Sequence, residues 1–364
     1  VYIGGEKYIS KLDAHIKESN LPLVLVGDSG SGKSALLANW GLEYRKTHPN
    51  ETVLMHFIGA SAASTDLVSI LLRLMAELKE RFDLPDEVPE TEEKLRSDFP
   101  NWLYIASAKG RLVLILDGLN QLDNRGNAQE LDWLPPELPE NVKLILSTLP
   151  CRALDVINER GWLTLEVEPL SFEERQDLVQ EFLALYSKQL SDERTQRVIK
   201  DPESANPLGL RLLLDELRQF GVYEELDKII DRYLAADSIP EMLQLVLERC
   251  ERDYEGERPG LVRDALSYLW AARRGLSDAE LLDLLSEEGK PLPHRVWSPL
   301  SLALENNLVD RGGLLGFSHD YVRQAVEERY LGDEEDQRKA HTTLGDYFAN
   351  LEGIPTRKVD ELPW

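Results

Sequence analysis

One eight-residue segment has the residue types and spacing of a phosphate-binding loop. It runs Gly27-Asp-Ser-Gly-Ser-Gly-Lys-Ser34 and matches the P-loop pattern G-x-x-x-x-G-K-[ST]. Such glycines let successive backbone N–H groups point into one concavity, which binds phosphate oxygens at a helix N-terminus. We expect Lys33 to reach the β- and γ-phosphates and the Ser34 hydroxyl to ligate Mg²⁺. The residues predicted to contact nucleotide here are Gly27, Ser29, Gly30, Ser31, Gly32, Lys33, Ser34 and Ala35.

A second segment places an acidic residue at the end of an apolar run. Leu112-Val-Leu-Ile-Leu-Asp117 is a hydrophobic strand pattern ending in Asp, which is the Walker B pattern. An Asp at the carboxyl end of a neighbouring strand can hold Mg²⁺ through water. Lys33 and Asp117 are therefore the predicted catalytic residues, and Ser34 and Asp117 are the predicted Mg²⁺ ligands.

The first half of the chain alternates strand and helix patterns around these motifs. This alternation predicts an α/β P-loop NTPase domain with a parallel five-stranded sheet. A helical pattern begins at Leu67, with Ser64 or Thr65 as its N-cap, and residues 83–93 read as an exposed acidic loop. The five predicted strands are 23–26, 53–58, 112–116, 142–146 and 163–167.

The second half is predicted to be mostly helical. After about residue 168 the patterns predict a small all-α domain, followed by three helices, a hairpin over 308–317 and a further helix. Three helices followed by a hairpin is the winged-helix order, and Ser277 with Glu280 forms a capping box at the second of them. The predicted domains are 1–168 (nucleotide-binding), 169–238 (all-α) and 239–345 (winged helix), followed by the segment 346–364.

The composition excludes several classes of partner. Of 364 residues, 41 are Lys or Arg and 66 are Asp or Glu, which gives a formal net charge of −25. Such an acidic chain is repelled by nucleic-acid backbones and anionic membranes, so we expect neither as a partner. Two distant cysteines, Cys151 and Cys250, form no disulfide framework, which favours a cytoplasmic location. Because the chain opens at Val1 rather than Met, we expect it to be a piece of a longer protein.

The residues after Asp117 identify a family resemblance. A motor-type AAA+ ATPase would carry Glu next, but Gly118 follows here. The run resembles the NACHT pattern of the STAND class of signalling NTPases, with a small residue after the Asp and an acidic position three further on. That position is Asn120 in this chain, and Gln121 follows. Neither amide can act as a carboxylate base, so the resemblance implies a slow switch rather than a fast ATPase.

Two further segments of the chain are similar to family motifs. The strand 142–146 ends in Ser147 and Thr148, which resembles the sensor 1 strand whose polar end senses the γ-phosphate, with Arg152 as the nearest guanidinium. The alternative interpretation is that either hydroxyl forms a local turn at the end of the strand. Pro207, in Asn-Pro-Leu, resembles the lid proline that packs on the base. The alternative is that Asn and Pro simply start a helix.

The ends of the chain complete the resemblance, which covers all three predicted domains. It implies that 169–238 is a lid domain and that 346–364 is the start of a linker to missing C-terminal repeats. His319, in Phe-Ser-His-Asp, resembles the winged-helix histidine that reaches the β-phosphate in autoinhibited STAND proteins, although a lone His is also a common packing or capping residue. Tyr2 and Ile3 resemble the segment over adenine, with Gly5 in place of its usual Arg. The nearest group is that of nephrocystin, the telomerase-associated vault protein and bacterial relatives.

The resemblance implies a slow ATPase that uses ATP or ADP with Mg²⁺. It implies an ADP-bound closed state and an ATP-bound state that forms oligomers, in defence or stress signalling, with a protein or other trigger sensed by missing repeats. One alternative is a mechanochemical AAA+-like ATPase acting on protein or nucleic acid. Another is a winged-helix DNA-binding regulator, but its candidate helix offers only His294 and Arg295 as basic groups. A small-molecule kinase ranks last, because kinases lack the lid and winged helix.

Overall fold

The computed structural model describes residues 5–60, 64–123, 125–219, 225–286, 289–351, 353 and 356–362. The chain divides into two compact units, residues 1–181 and 182–364. Tyr2 and Ile3, which were predicted to pack on adenine, lie outside the described residues.

The first unit contains a five-stranded parallel sheet, as predicted. Its order is β2-β3-β4-β1-β5, and every neighbouring pair is parallel. The central strands β3 and β4 are buried along their whole length, because helices cover both faces. The strands are β1 (Leu23–Val26), β2 (Thr52–Phe57), β3 (Leu112–Asp117), β4 (Val142–Thr148) and β5 (Leu163–Glu166).

Six helices accompany this sheet in the chain. They are α1 (Glu6–Glu18), α2 (Lys33–Thr47), α3 (Leu67–Phe82), α4 (Glu92–Lys109), α5 (Arg152–Glu159) and α6 (Phe172–Ala184). Successive strand side chains point to opposite faces, so the sheet supports two separate cores. Leu114 and Leu144 belong to one core with α3 and α4, while Val113 and Ile145 belong to the other with α1 and α2. The carboxyl ends of the strands are thereby held rigidly from both sides.

Two local predictions for the first unit need correction. The N-cap of α3 is Asp66, whose carboxylate accepts a hydrogen bond from the Ser69 N–H at 2.9 Å, so the prediction of Ser64 or Thr65 is wrong. The loop predicted over 83–93 ends earlier, because α4 begins at Glu92. Pro100 lies inside this 18-residue helix and interrupted its sequence pattern.

The second unit is mostly helical and holds one small two-stranded sheet. Helices α11, α12 and α13 precede the hairpin of β6 and β7, in which Leu308 pairs with Phe317. A single antiparallel bridge joins Leu276 to Leu315. The elements are α7 (Asp192–Lys200), α8 (Pro207–Gln219), α9 (Leu226–Leu234), α10 (Ile239–Tyr254), α11 (Leu261–Ala271), α12 (Asp278–Leu284), α13 (His294–Ala303), β6 (Leu308–Asp310), β7 (Leu315–Phe317), α14 (Asp320–Tyr330), α15 (Glu334–Ala349) and α16 (Thr356–Glu361).

The predicted capping box at the start of α12 is present and is shared with the C-terminal helix. The Ser277 hydroxyl accepts from the Glu280 N–H at 3.2 Å, and the Glu280 carboxylate accepts from the Ser277 N–H at 2.8 Å. The same carboxylate receives the Arg357 guanidinium of α16 at 2.9 and 3.1 Å. At the other end of α16, buried Glu361 accepts from the N–H groups of Arg273 and Arg274 at 2.8 and 3.1 Å. The two carboxylates fasten α16 to the turn between α11 and α12.

Two chain-wide features complete the description. Cys151 and Cys250 are both free thiols, in agreement with the predicted lack of a disulfide framework. Among the described residues, no helix combines the length and the apolar character needed to cross a lipid bilayer.

Candidate nucleotide-binding site

The P-loop segment joins the end of β1 to the start of α2. Gly30 and Gly32 have φ values of 76° and 88°, in the left-handed region that favours glycine, and Gly32 is the N-cap of α2. A Cβ on Gly27 would lie 2.8 Å from the carbonyl oxygen of Val167, so the strand end and its neighbour approach too closely for a side chain. The loop therefore has the backbone path that the motif requires.

The side chain of Lys33 folds back over this loop. Its Nζ donates to the carbonyl oxygens of Gly27 and Asp28 at 2.7 and 2.8 Å, and to the Ser31 hydroxyl at 3.2 Å. Within the described chain it forms no ion pair with a carboxylate. Burial lowers the pKa of Lys33, while Asp117 and Asp28 act in the opposite direction. A buried ammonium held only by loop oxygens is well suited to receive phosphate oxygens.

The remaining P-loop residues lie at the start of α2 or just before it. Ser34 and Ala35 are exposed on the first turn of this 15-residue helix, while Ser29 and Ser31 are half-buried in the loop. The first N–H groups of a helix have no partner inside it and carry partial positive charge. The N-terminus of α2, which is predicted to bind anions, thus begins at Lys33 itself.

Asp117 ends β3 and is fixed there by a residue of β4. The carboxylate is 4% exposed, and its Oδ1 accepts a hydrogen bond from the Ser147 hydroxyl. The same hydroxyl accepts from the Gly118 N–H at 2.9 Å. Because β4 lies between β3 and β1, the Asp117 carboxylate and the P-loop sit at the same carboxyl edge of the sheet. This is the edge where a parallel α/β sheet binds ligands.

The two other predicted sensor residues have partners away from Asp117. The Thr148 hydroxyl, fully buried, donates to the carbonyl of Leu149 at 2.9 Å. Arg152 places Nε and Nη2 at 2.8 Å from the two carboxylate oxygens of Glu130, and this pairing raises the pKa of Arg152. Of the three candidates, the structure brings only Ser147 together with Asp117.

The two amide residues that follow Asp117, Asn120 and Gln121, lie in the 3-10 turn Leu119–Gln121. Asn120 Oδ1 accepts from the Leu149 N–H at 3.2 Å, which forms a second link between the segments that follow β3 and β4. Gln121 packs against the end of β2, since its Oε1 lies 1.7 Å from where a Cβ of Gly59 would be. The turn thus offers amides rather than a carboxylate beside Asp117.

The protein oxygens at this edge fit a Mg²⁺–nucleotide complex. Mg²⁺ keeps several waters and usually takes only one or two protein oxygens together with substrate phosphates. Ser34 has an exposed hydroxyl, and Asp117 has a second carboxylate oxygen that accepts no hydrogen bond from the described residues. Bound Mg²⁺ would supply charge neutralisation at the phosphates.

Pro207 and His319 both lie in the second unit. Pro207 opens α8, and the Asn206 side chain accepts from the Leu208 N–H at 2.9 Å, which is a helix-start contact. His319 is exposed and is the N-cap residue of α14, but its side chain makes no capping hydrogen bond. Their contact with nucleotide stays a prediction.

Comparison with known proteins gives a consistent result. Residues 21–186 match the family model described as NACHT domain. A TPR repeat-containing protein of Dictyostelium discoideum is 32% identical across 100% of this chain, which covers 26% of that protein. Human NACHT domain- and WD repeat-containing protein 1 and human nephrocystin-3 are 28% and 27% identical across 100% of this chain, which covers 25% and 28% of them. The chain therefore spans about a quarter of these relatives.

A solved structure shares the fold of nearly the whole chain. It is the STAND protein with a tetratricopeptide repeat sensor from Pyrococcus horikoshii, with a TM-score of 0.53 and 17% identity. The match covers 98% of this chain and 46% of that one. At this identity the similarity concerns the fold alone.

Proposed function

We propose that this chain, whose residues 21–186 match the NACHT domain model, is a nucleotide-dependent molecular switch of the STAND signalling type. It binds ATP or ADP with Mg²⁺, is closed with ADP and becomes competent to form oligomers with ATP. The observation that carries the proposal is that the Lys33 loop and the Asp117 carboxylate lie at the same carboxyl edge of the sheet. A γ-phosphate there is a charged group that can bias two conformations of the protein.

Hydrolysis is slow in this proposal. Gly118 replaces the Glu that a motor ATPase would use, and the side chains of Asn120 and Gln121 are amides with no useful basicity. The Asn120 acceptor is also occupied by the Leu149 N–H. Slow hydrolysis allows the ATP-bound state to persist, as a switch requires.

Residues 169–238 form the lid and 239–345 the winged helix in this proposal, so most of the lid and all of the winged helix lie in the second unit. The order of α11, α12, α13 and the β6–β7 hairpin supports the winged helix, as does the bridge from Leu276 to Leu315. Pro207 contributes a contact to the base and His319 a contact to the β-phosphate. These two contacts make lid and winged-helix positions depend on the bound nucleotide.

Signalling partners are proposed from the relatives. Their names include tetratricopeptide or WD repeats, which supports a trigger sensed by repeats downstream of this region. We place the protein in the cytoplasm, in defence or stress signalling, without a DNA or membrane partner. The surface of α13 supports the lack of DNA binding, because Trp297 and Leu300 are buried and Arg295 pairs with Glu257.

Identification of the nucleotide carried by the purified protein tests this function. We expect retained ADP, released on denaturation, and turnover of well under one ATP per second. The His319→Ala variant should lose ADP faster and form more oligomer. An empty wild-type site that binds no added nucleotide would refute the proposal, and turnover of many ATP per second would favour the mechanochemical alternative.

A further inference from the structure

The Ser147 hydroxyl uses both its donor and an acceptor position at the carboxyl edge of the sheet. Its single proton goes to Asp117 Oδ1, and its oxygen accepts from the Gly118 N–H at 2.9 Å. The side chain is 1% exposed. A hydroxyl has one donor and two lone pairs, so only one lone pair remains. Both hydrogen bonds of the Ser147 hydroxyl are therefore made with residues at the end of β3.

We propose that Ser147 is the positioning residue of the Mg²⁺ site and does not sense the γ-phosphate. It acts through Asp117, whose carboxylate it holds in one orientation. The inference rests on the proposed function, since it requires that Mg²⁺ and nucleotide bind at this edge.

The geometry explains why a positioning residue is needed. The terminal torsion of an Asp side chain is broad, so an unrestrained carboxylate samples many orientations. Anchoring Oδ1 leaves the second oxygen in a defined place, without a hydrogen bond from the described residues. Gly118, at φ 81°, is held by the same hydroxyl, which also fixes where β3 ends. The Ser147 side chain thus fixes both the Asp117 carboxylate, which is the proposed Mg²⁺ ligand, and the turn at Gly118 that follows it.

The neighbouring side chains mark Ser147 as different from a local turn residue. Among the described residues, the hydroxyl of the next residue, Thr148, contacts only nearby residues of the chain, the Leu149 carbonyl and the Cys151 thiol. Ser147 instead bridges to a strand 30 residues earlier in the chain. Asn120 makes the reverse link, from the segment after β3 to the Leu149 N–H. In the described part of the chain, two side chains, Ser147 and Asn120, therefore join the β3 and β4 ends, and of these Ser147 contacts the carboxylate.

The test separates nucleotide binding from its dependence on Mg²⁺. Binding of fluorescent ADP and of a non-hydrolysable ATP analogue to the full chain is measured in EDTA and across a Mg²⁺ titration. For Ser147→Ala we expect unchanged affinity in EDTA. We expect the Mg²⁺ concentration for half-maximal effect to rise by about tenfold, equally for both nucleotides, because outer-shell partners of metal ligands typically contribute 10–100-fold.

Control variants define the comparison. Ser107→Ala removes another buried hydroxyl of the first unit, one that bonds to the Tyr104 carbonyl, and should leave the Mg²⁺ titration unchanged. Ser147→Thr keeps the hydroxyl and should restore the wild-type titration. Ser147→Cys, a weak donor of similar size, covers the case in which the Ala variant fails to fold, and should give a smaller shift in the same direction. In an Asp117→Asn background, Ser147→Ala should add nothing.

Three results are decisive. Loss of ATP-analogue affinity alone, with the Mg²⁺ dependence intact, would make Ser147 a γ-phosphate sensor and overturn the proposal. An unchanged titration for Ser147→Ala would reduce the residue to a structural role. A wild-type protein that binds no nucleotide would refute the proposed function itself, which is a different outcome from either.

Discussion

The ammonium of Lys33 donates hydrogen bonds to oxygen atoms of its own loop. Those partners are two carbonyls and one hydroxyl, and in the described part of the chain no carboxylate joins them within ion-pair distance. A phosphate can replace these neutral acceptors without breaking an ion pair, and its negative charge makes it the stronger partner for a buried cation. The Lys33 ammonium can thus bind an anion without first losing a charged partner.

Removal of this ammonium should reduce nucleotide affinity strongly. We expect Lys33→Ala to weaken ADP binding by roughly 12- to 160-fold, because hydrogen bonds to charged groups contribute about 1.5–3 kcal/mol. Fluorescent-ADP titration measures the loss. Circular dichroism should show an unchanged fold, since Lys33 bonds only to its own loop. An affinity within a factor of two of wild type would contradict the assignment.

His56 gives the first unit a dependence on pH. It is buried on β2, its Nδ1 lies 2.8 Å from the Arg73 guanidinium, and its Nε2 lies 3.1 Å from the Ser64 carbonyl. An arginine can only donate, so Nδ1 must be unprotonated and the ring neutral. Burial first, and then Arg73, lowers the pKa of His56, although the Ser64 carbonyl opposes the shift.

We therefore expect the free energy of unfolding to fall as the pH drops below about 6.5, the ordinary pKa of His. The sign follows because the unfolded chain binds a proton there that the folded chain does not. Urea unfolding at pH 7.5, 6.5 and 5.5 measures the slope. Other buried histidines contribute, so His56→Gln should flatten the slope without abolishing it. An identical slope in this variant would exclude His56 as a contributor.

At the scale of elements, the parallel sheet is the part most readily predicted from sequence. Buried parallel strands are continuous apolar runs, and β1, β3 and β4 have that pattern. Helix α4 was not predicted, because Pro100 and the preceding acidic stretch obscure a buried face that includes Phe99 and Leu103. The pairing of Ser147 with Asp117 could not be predicted either. It depends on β4 lying beside β3, and strand order is set by packing rather than by local pattern.

The start of α3 offers a matched pair of substitutions. Asp66→Ala removes the carboxylate that accepts from the Ser69 N–H and hydroxyl, and should lower the free energy of unfolding by about 1 kcal/mol. Thr65→Ala, one residue earlier, removes a half-buried side chain that does not cap the helix and should change it by less than about 0.5 kcal/mol. Urea denaturation of both variants checks this, and equal effects would contradict the cap assignment.

At the scale of the whole molecule, the charge is unevenly placed. Residues 166–364 contain 24 basic and 42 acidic residues, a net of −18 out of −25. An anionic chain can still bind an anionic nucleotide, because loop N–H groups, Lys33 and Mg²⁺ set the local field. The acidity therefore restricts macromolecular partners and leaves the small-molecule site intact.

The contacts of α16 predict a measurable loss at the C-terminal end. Arg357 reaches the Glu280 carboxylate, the Gly275 carbonyl and Glu361, so Arg357→Ala leaves two half-buried or buried carboxylates short of partners. We expect the second unit to lose about 1.5–3 kcal/mol of unfolding free energy. Amide exchange at Arg273 and Arg274 should accelerate. An exchange rate at these amides equal to that of wild type would show that α16 does not depend on Arg357.

The fastening of α16 has a consequence for how it can detach. A six-residue segment does not hold a helix alone in water, so α16 must lose its shape when it leaves the turn between α11 and α12. Leaving also frees, in one event, both N–H groups on Glu361 and the guanidinium on Glu280. Detachment of only part of the helix would lose these hydrogen bonds but free few residues, so it would gain little conformational entropy. We therefore expect α16 to leave this turn in one cooperative step.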